Sequence, residues 1–171
     1  MAFPVFGKND AQAKSLSGVF VGQPTKNLLR AGGKRRERKA VSYEATTHGV
    51  TVKVVPSFLE DDSAPVRDYY FWAYSVEITN VGRQRVQLLS RHWKITDSTG
   101  QVQEVRGAGV VGEQPVLEPG ESFRYTSGAP LRTPSGIMLG WYRMEAEDGE
   151  TFDVVIPPFS LDSPYAAGRL N

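Results

Sequence analysis

The stretch that most constrains the fold is DYYFWAYSVEITN, residues 68–80. Tyr70, Trp72, Tyr74, Val76 and Ile78 occupy alternate positions, with Phe71, Ala73, Ser75, Glu77 and Thr79 between them. A period of two belongs to a β-strand, whose successive side chains point to opposite faces. The first set is almost wholly apolar, so that face is expected to enter a core. Burying each of its large side chains contributes about 2 kcal/mol.

The neighbouring stretches extend the pattern. Val50, Val52 and Val54 alternate with Thr51, Lys53 and Val55, and Pro56 is expected to end or bulge that strand. Asn80-Val81-Gly82 signals a turn. In Val86–Asp97 the alternation slips: Val86 and Leu88 are followed by Leu89, Arg91, Trp93 and Ile95. One extra residue near Leu88-Leu89 reconciles the halves and predicts a β-bulge. Asp97-Ser98-Thr99-Gly100 places glycine where a turn needs a left-handed residue, and Gln101–Arg106 pairs back. Pro119-Gly120 predicts a type II turn leading into the alternating Ser122–Thr126. Pro130 and Thr133–Gly136 bend the chain. Asp148-Gly149 is the strongest short hairpin signal, joining Ile137–Glu147 to Thr151–Ile156. Pro157-Pro158 is expected to stop pairing, with Phe159 and Leu161 docking from a tail.

Tyr43–Ile156 therefore holds about seven strands and no convincing helix, with turn signals roughly every 8–12 residues. The fold class expected is all-β: an antiparallel β-sandwich of the immunoglobulin or fibronectin III kind. The chain has no cysteine. This excludes disulfides, thiolate metal sites and a cysteine nucleophile, and favours the fibronectin-like variant. No apolar run approaches the ~20 residues of a membrane span. Lys8 and Asp10 interrupt any signal-peptide core. A cytoplasmic protein without membrane contact is expected.

Charge divides the chain. Residues 1–40 hold nine Lys/Arg and two Asp/Glu, or +7; residues 41–171 hold eleven and seventeen, or −6, giving the net +1. Residues 1–41 read as a flexible basic N-terminal extension on an acidic domain. A short helix at Asp10–Leu16 is expected, capped by Asn9 or Asp10. The run Lys34–Lys39 is read first as a solvated tail; its functional alternative is an electrostatic contact with nucleic acid or anionic lipid. Phe3, Phe6 and Phe20 do not interleave with that run, so no base-stacking platform is expected.

Few residues suggest chemistry. Gly107, Gly109 and Gly112 have the spacing that cradles pyrophosphate, with Arg106 as the adjacent cation. A dinucleotide site also needs a following helix, and Glu113–Leu117 followed by Pro119-Gly120 leaves no room for one. The favoured reading is a crossover whose glycines serve backbone geometry, with anion binding at Arg106, Gly107, Gly109 and Gly112 as the alternative. His48 and His92, with Glu44, Asp97 or Glu104, carry no metal-ligand spacing. Glu60-Asp61-Asp62 lacks the alternate spacing of calcium loops. No Ser/His/Asp arrangement is found, so neither an enzyme nor a cofactor is expected. Arg91, His92 and Trp93 are the candidate partner-binding patch. If Trp93 points to the core with Arg91, then Arg91 must be paired or snorkel; a slip elsewhere turns His92 inward.

Longer motifs carry a family resemblance. Tyr43–Val50 (YEATTHGV), Tyr70–Tyr74 (YFWAY), Leu89–Trp93 (LSRHW) and Glu104–Pro115 (EVRGAGVVGEQP) resemble the bacterial ApaG family. So do Pro119-Gly120-Glu121, Tyr125–Gly128 (YTSG), Thr133–Met138 (TPSGIM) and Phe159-Ser160-Leu161. The resemblance implies a fibronectin III-like ApaG domain over 42–164, with a C-terminal tail at 165–171. It also implies an association with cobalt and magnesium tolerance, and relatives within larger eukaryotic proteins that bind other proteins. The expected function is a non-enzymatic protein–protein binding module of unknown partner. The alternative is a small-ligand binder, taking a nucleotide or pyrophosphate, or a divalent cation, at 107–112.

Overall fold

The computed structural model describes residues 40–166. The helix expected at Asp10–Leu16, the basic run 34–39 and the last residues of the C-terminal tail lie outside the described residues. Nine strands follow in order: β1 Tyr43–Thr47, β2 Val50–Phe58, β3 Tyr70–Asn80, β4 Val86–Asp97, β5 Val102–Ala108, β6 Val116–Leu117, β7 Ser122–Leu131, β8 Ser135–Ala146 and β9 Thr151–Asp162. A 3-10 turn, Pro65–Arg67, lies between β2 and β3. The strands form two antiparallel sheets, ordered β1-β2-β3-β7 and β5-β4-β8-β9, with the short β6 also pairing β4.

This is the all-β sandwich that the alternation predicts. The apolar face of β3 is the inner face: Trp72, Tyr74, Val76 and Ile78 are buried, as are Val50, Val52 and Val54 beside them on β2. Trp93 and Ile95 on β4 and Met138, Tyr142 and Met144 on β8 face them from the other sheet. Tyr74 meets Trp93 edge to face at 5.4 Å, and Trp93 meets Phe159 likewise at 6.0 Å. Such aromatic pairs fix the spacing of the two sheets. The sandwich is bound along one side, where the Tyr43 hydroxyl on β1 lies 2.9 Å from that of Ser160 on β9.

The turns follow their residues. The amide of Glu121 donates to the Glu118 carbonyl across Pro119-Gly120, with Gly120 at φ 87°, a type II turn. Gly100 adopts φ 87° and Gly149 φ 86°. Pairing of β4 with β8 shifts register between Leu88 and Ser90, the bulge the sequence slip demands.

Three expectations need correction. Among the described residues the strands number nine, because β1 and the two-residue β6 join the seven expected. β1 closes on β2 through His48-Gly49, a tight turn with φ 47° and 75°; histidine pays for a left-handed conformation there, so no glycine-first signal announces it. Pro56 neither ends nor bulges β2, which pairs evenly with β3 as far as Phe58–Trp72. β1 pairs no further than Val54, so Pro56 lies where β2 is an edge and its missing N–H costs no ladder bond. Pro157-Pro158 likewise does not stop pairing. The β8–β9 register shifts between Met138 and Gly140, so both prolines stand opposite Leu139 in a bulge and β9 resumes beyond them. Phe159 and Leu161 are therefore buried strand residues, not a docked tail. Tyr165 packs edge to face on Phe58 and Tyr70.

Candidate functional site

The bulge at Leu89 determines what β4 presents. Beyond it, Arg91, Trp93 and Ile95 turn inward while His92 and Lys94 turn outward. Trp93 is 0 % exposed and belongs to the core, so Arg91, His92 and Trp93 do not share one surface.

Arg91 reaches past its neighbour β5 to the glycine-rich stretch. Its Nη1 donates to the carbonyl oxygens of Ala108, at 3.1 Å, and Gly109, at 2.7 Å. A Cβ on Gly107 would stand 3.1 Å from Nη1 and 3.2 Å from the guanidinium carbon, so Gly107 leaves room for the guanidinium to lie against the backbone. The Nε of Arg91 and the indole Nε1 of its strand neighbour Trp93 are buried without a protein partner.

Beyond Gly109 the chain forms a tight hairpin. Val110 and Glu113 exchange backbone hydrogen bonds of 2.8 and 2.9 Å, with Val111 at φ 45° and Gly112 at φ 79° between them. The Gly109 amide donates to the Leu89 carbonyl at 2.8 Å. A Cβ on Gly109 would fall 2.1 Å from the Glu113 carbonyl oxygen. The stretch thus turns carbonyl oxygens toward a cation and uses the Gly109 and Val110 amides within its own folding. Arg106 points to the outer face, where its Nη2 donates to Glu104 at 3.2 Å. The structure does not bring Arg106 together with the glycines that follow it.

Replacing Arg91 with methionine is expected to lower the unfolding free energy by about 2 kcal/mol, because the Ala108 and Gly109 carbonyls lose a charge-assisted donor. Lysine should recover little, since it lacks the flat guanidinium that lies against the Gly107 backbone. Urea midpoints read the loss, and the amide NMR signals of Gly107–Gly112 should shift most.

The outer face of the five-stranded sheet brings other residues into line. Cross-strand register places Arg106 of β5, His92 of β4, Trp141 of β8 and Val155 of β9 in one row. His92 and Trp141 rings lie 3.9 Å apart between centroids. His92 Nε2 lies 3.1 Å from the Glu104 carboxylate. The hydrogen bond from Arg106, and then that from His92, hold the Glu104 carboxyl below its ordinary value. Val155 is 44 % exposed, as is Ile137 at 51 % further along the same face, with half-buried Leu139 between the rows. Arg143 pairs with Asp153 at 3.1 Å on the row beyond. Trp141 is the residue that sequence reasoning missed. Its alternation with Gly140 and Tyr142 was visible, but the register that sets it on His92 is a long-range pairing that no local signal encodes.

His48 lies apart from His92, in the β1–β2 turn, where its ring meets Phe152 edge to face at 5.5 Å. Among the described residues no three His, Cys, Asp or Glu side chains gather as a metal site would require. No helix among them is long and apolar enough to cross a membrane.

Known proteins share this sequence and architecture. The family model described as ApaG domain matches residues 60–146. Protein ApaG of Paramagnetospirillum magneticum is 59 % identical over 129 residues, covering 75 % of this chain and 99 % of its own. Protein ApaG of Methylobacterium nodulans is 63 % identical over 123 residues, covering 72 % of this chain and 95 % of its own. A crystal structure of the ApaA protein from Bordetella pertussis superposes with a TM-score of 0.66 at 51 % identity, over 67 % of this chain and 94 % of that one.

Proposed function

The chain belongs to the ApaG domain family, and from that premise we propose a non-enzymatic module that binds another protein on the outer face of its five-stranded sheet. The observation that carries this reading is the outer-face row Arg106–His92–Trp141–Val155, in which His92 is buried against a half-buried Trp141. A tryptophan backed by a histidine ring, beside exposed aliphatic side chains and fringed by charged pairs, has the composition of a binding hot spot. The opposite sheet's outer face carries hydroxyl ladders instead, Ser75 with Thr126 and Thr79 with Ser122, which bind one another. The family's association with cobalt and magnesium tolerance is read here as acting through the partner rather than through an ion held by this domain.

Affinity capture with the full chain tests the reading. Trp141→Ala should weaken capture of the partner at least about thirtyfold, the effect of losing a 2 kcal/mol hot spot. Ser75→Ala, on the other sheet, should leave it unchanged. Equal capture by both variants would sink the proposal. Amide shifts at 107–112 on adding ATP, pyrophosphate, Mg²⁺ or Co²⁺ would instead favour the small-ligand reading of that stretch.

A further inference from the structure

We propose that β5 is a self-recognition edge, through which a second copy of the chain adds its own β5 antiparallel to extend the five-stranded sheet. This surface is the sheet's border, and it shares Arg106 with the row proposed above. Among the described residues β5 pairs on one side only, with β4. Edge strands are ordinarily guarded by proline, lysine, bulges or short length. The seven residues of β5, VQEVRGA, contain no proline or lysine, and their pairing with β4 is unbroken.

The hydrogen-bonding parity shows which groups are available. At one end of the β4–β5 ladder the Asp97 amide donates to the Gln101 carbonyl, and at the other the Gly109 amide donates to the Leu89 carbonyl. Antiparallel bonding alternates along a strand. Gln103, Val105 and Gly107 therefore bond inward to β4, and the backbone N–H and C=O groups of Val102, Glu104 and Arg106 face the open edge with the N–H of Ala108, whose carbonyl already accepts from Arg91. The side chains of that same set are the exposed ones, on the outer face.

Charge then selects one register. A two-fold pairing must set free residues against free residues and keep each face on its own side, so its axis passes through a residue of β5. An axis at Glu104 puts two carboxylates opposite each other, and one at Arg106 puts two guanidinium groups opposite each other. Axes nearer either end shorten the ladder. An axis at Val105 places Glu104 opposite Arg106 of the second copy, twice by symmetry, and Val102 opposite Ala108. Opposite charges directly across a ladder are favourable and like charges are not. The same axis sets the two half-buried Val105 side chains against each other at the close spacing of a non-hydrogen-bonded pair. The edge of β7 offers no such match, since it carries Pro130 and a single charged residue, Arg124, so no pair of opposite charges can face each other across a two-fold axis.

The contact is small, so a concentration-dependent dimer is expected rather than a permanent one. Sedimentation equilibrium of the full chain, up to millimolar concentration, should show monomer and dimer in exchange. Glu104→Arg alone and Arg106→Glu alone should each weaken dimerisation at least about tenfold, because each sets like charges across the axis. An equimolar mixture of the two variants should restore it, since each then presents the charges the other lacks. A wild-type chain that stays monomeric overturns the proposal. So does a dimer that survives both variants, or one that the mixture fails to recover.

Discussion

Gly140→Ala is expected to lower the unfolding free energy by about 4 kcal/mol, a large cost for adding one methyl group. Gly140 lies in β8 opposite Trp93, and a Cβ there would fall 2.0 Å from the His92 carbonyl oxygen and 3.2 Å from the Trp93 Cα. Both obstacles belong to the backbone of β4, so no side chain can rotate away. Relief would require β4 and β8 to part where His92 meets Trp141 and where Trp93 enters the core. The midpoint of urea unfolding measures the loss. Gly149→Ala provides the contrast: nothing lies within 4 Å of its Cβ, and only the φ of 86° resists. That change should cost about 1 kcal/mol. Similar costs at the two glycines would refute the steric account of Gly140.

Alkali is expected to unfold this domain steeply, beginning near pH 10. Tyr74, Tyr125 and Tyr142 are all buried between the sheets. Burial pushes the Tyr74 phenol up to about 12. Burial also raises Tyr125, with the neighbouring Tyr142 adding to it, and burial raises Tyr142 although its hydrogen bond with Tyr125 opposes the shift. A tyrosine in the unfolded chain titrates near 10.0. Above that pH the unfolded chain releases protons that the fold retains, so stability falls as pH rises, through Tyr74's value and beyond. Each such group removes up to about 1.4 kcal/mol per pH unit. Three together remove about 3 kcal/mol between pH 10 and 11, because the unfolded phenols go from half to about nine-tenths ionised over that interval. Urea midpoints at pH 8, 10 and 11 test this, and Tyr142→Phe should flatten the slope by one phenol's share. A midpoint unchanged up to pH 11.5 would exclude it.

Much of the architecture was legible because it rests on local signals. The alternation of Tyr70–Ile78, the slip at Leu88-Leu89 and the glycine placed after Pro119 each act within a few residues. Two of the three misreadings concern prolines. Pro56 and Pro157-Pro158 are strand breakers only where their nitrogens would have faced a neighbour, and which side is open depends on where β1 stops and where β8 bulges. The candidate site was less legible for the same reason. An inward Arg91 must be paired or snorkel, and the carbonyls that pair it lie 17 and 18 residues away. The row that joins Arg106 to Val155 draws on four strands, and its members alternate with core residues that looked equally prominent.

The bulge in β4 also makes chain length itself a form of information. Leu89 is one residue more than the β8 partner strand requires, and only that surplus lets Leu88 and Trp93 face the same core. Deleting any single residue between Leu88 and Arg91 would rotate one half of the strand by half a turn, exchanging His92 with Trp93 or Gln87 with Leu88. The turn at Ser98–Gly100, which has open space around Gly100, has no such phase to keep. Natural and engineered insertions should therefore accumulate at that turn and be absent from Leu88–Arg91, so that gaps, as much as substitutions, mark the position that sets this sheet's two faces.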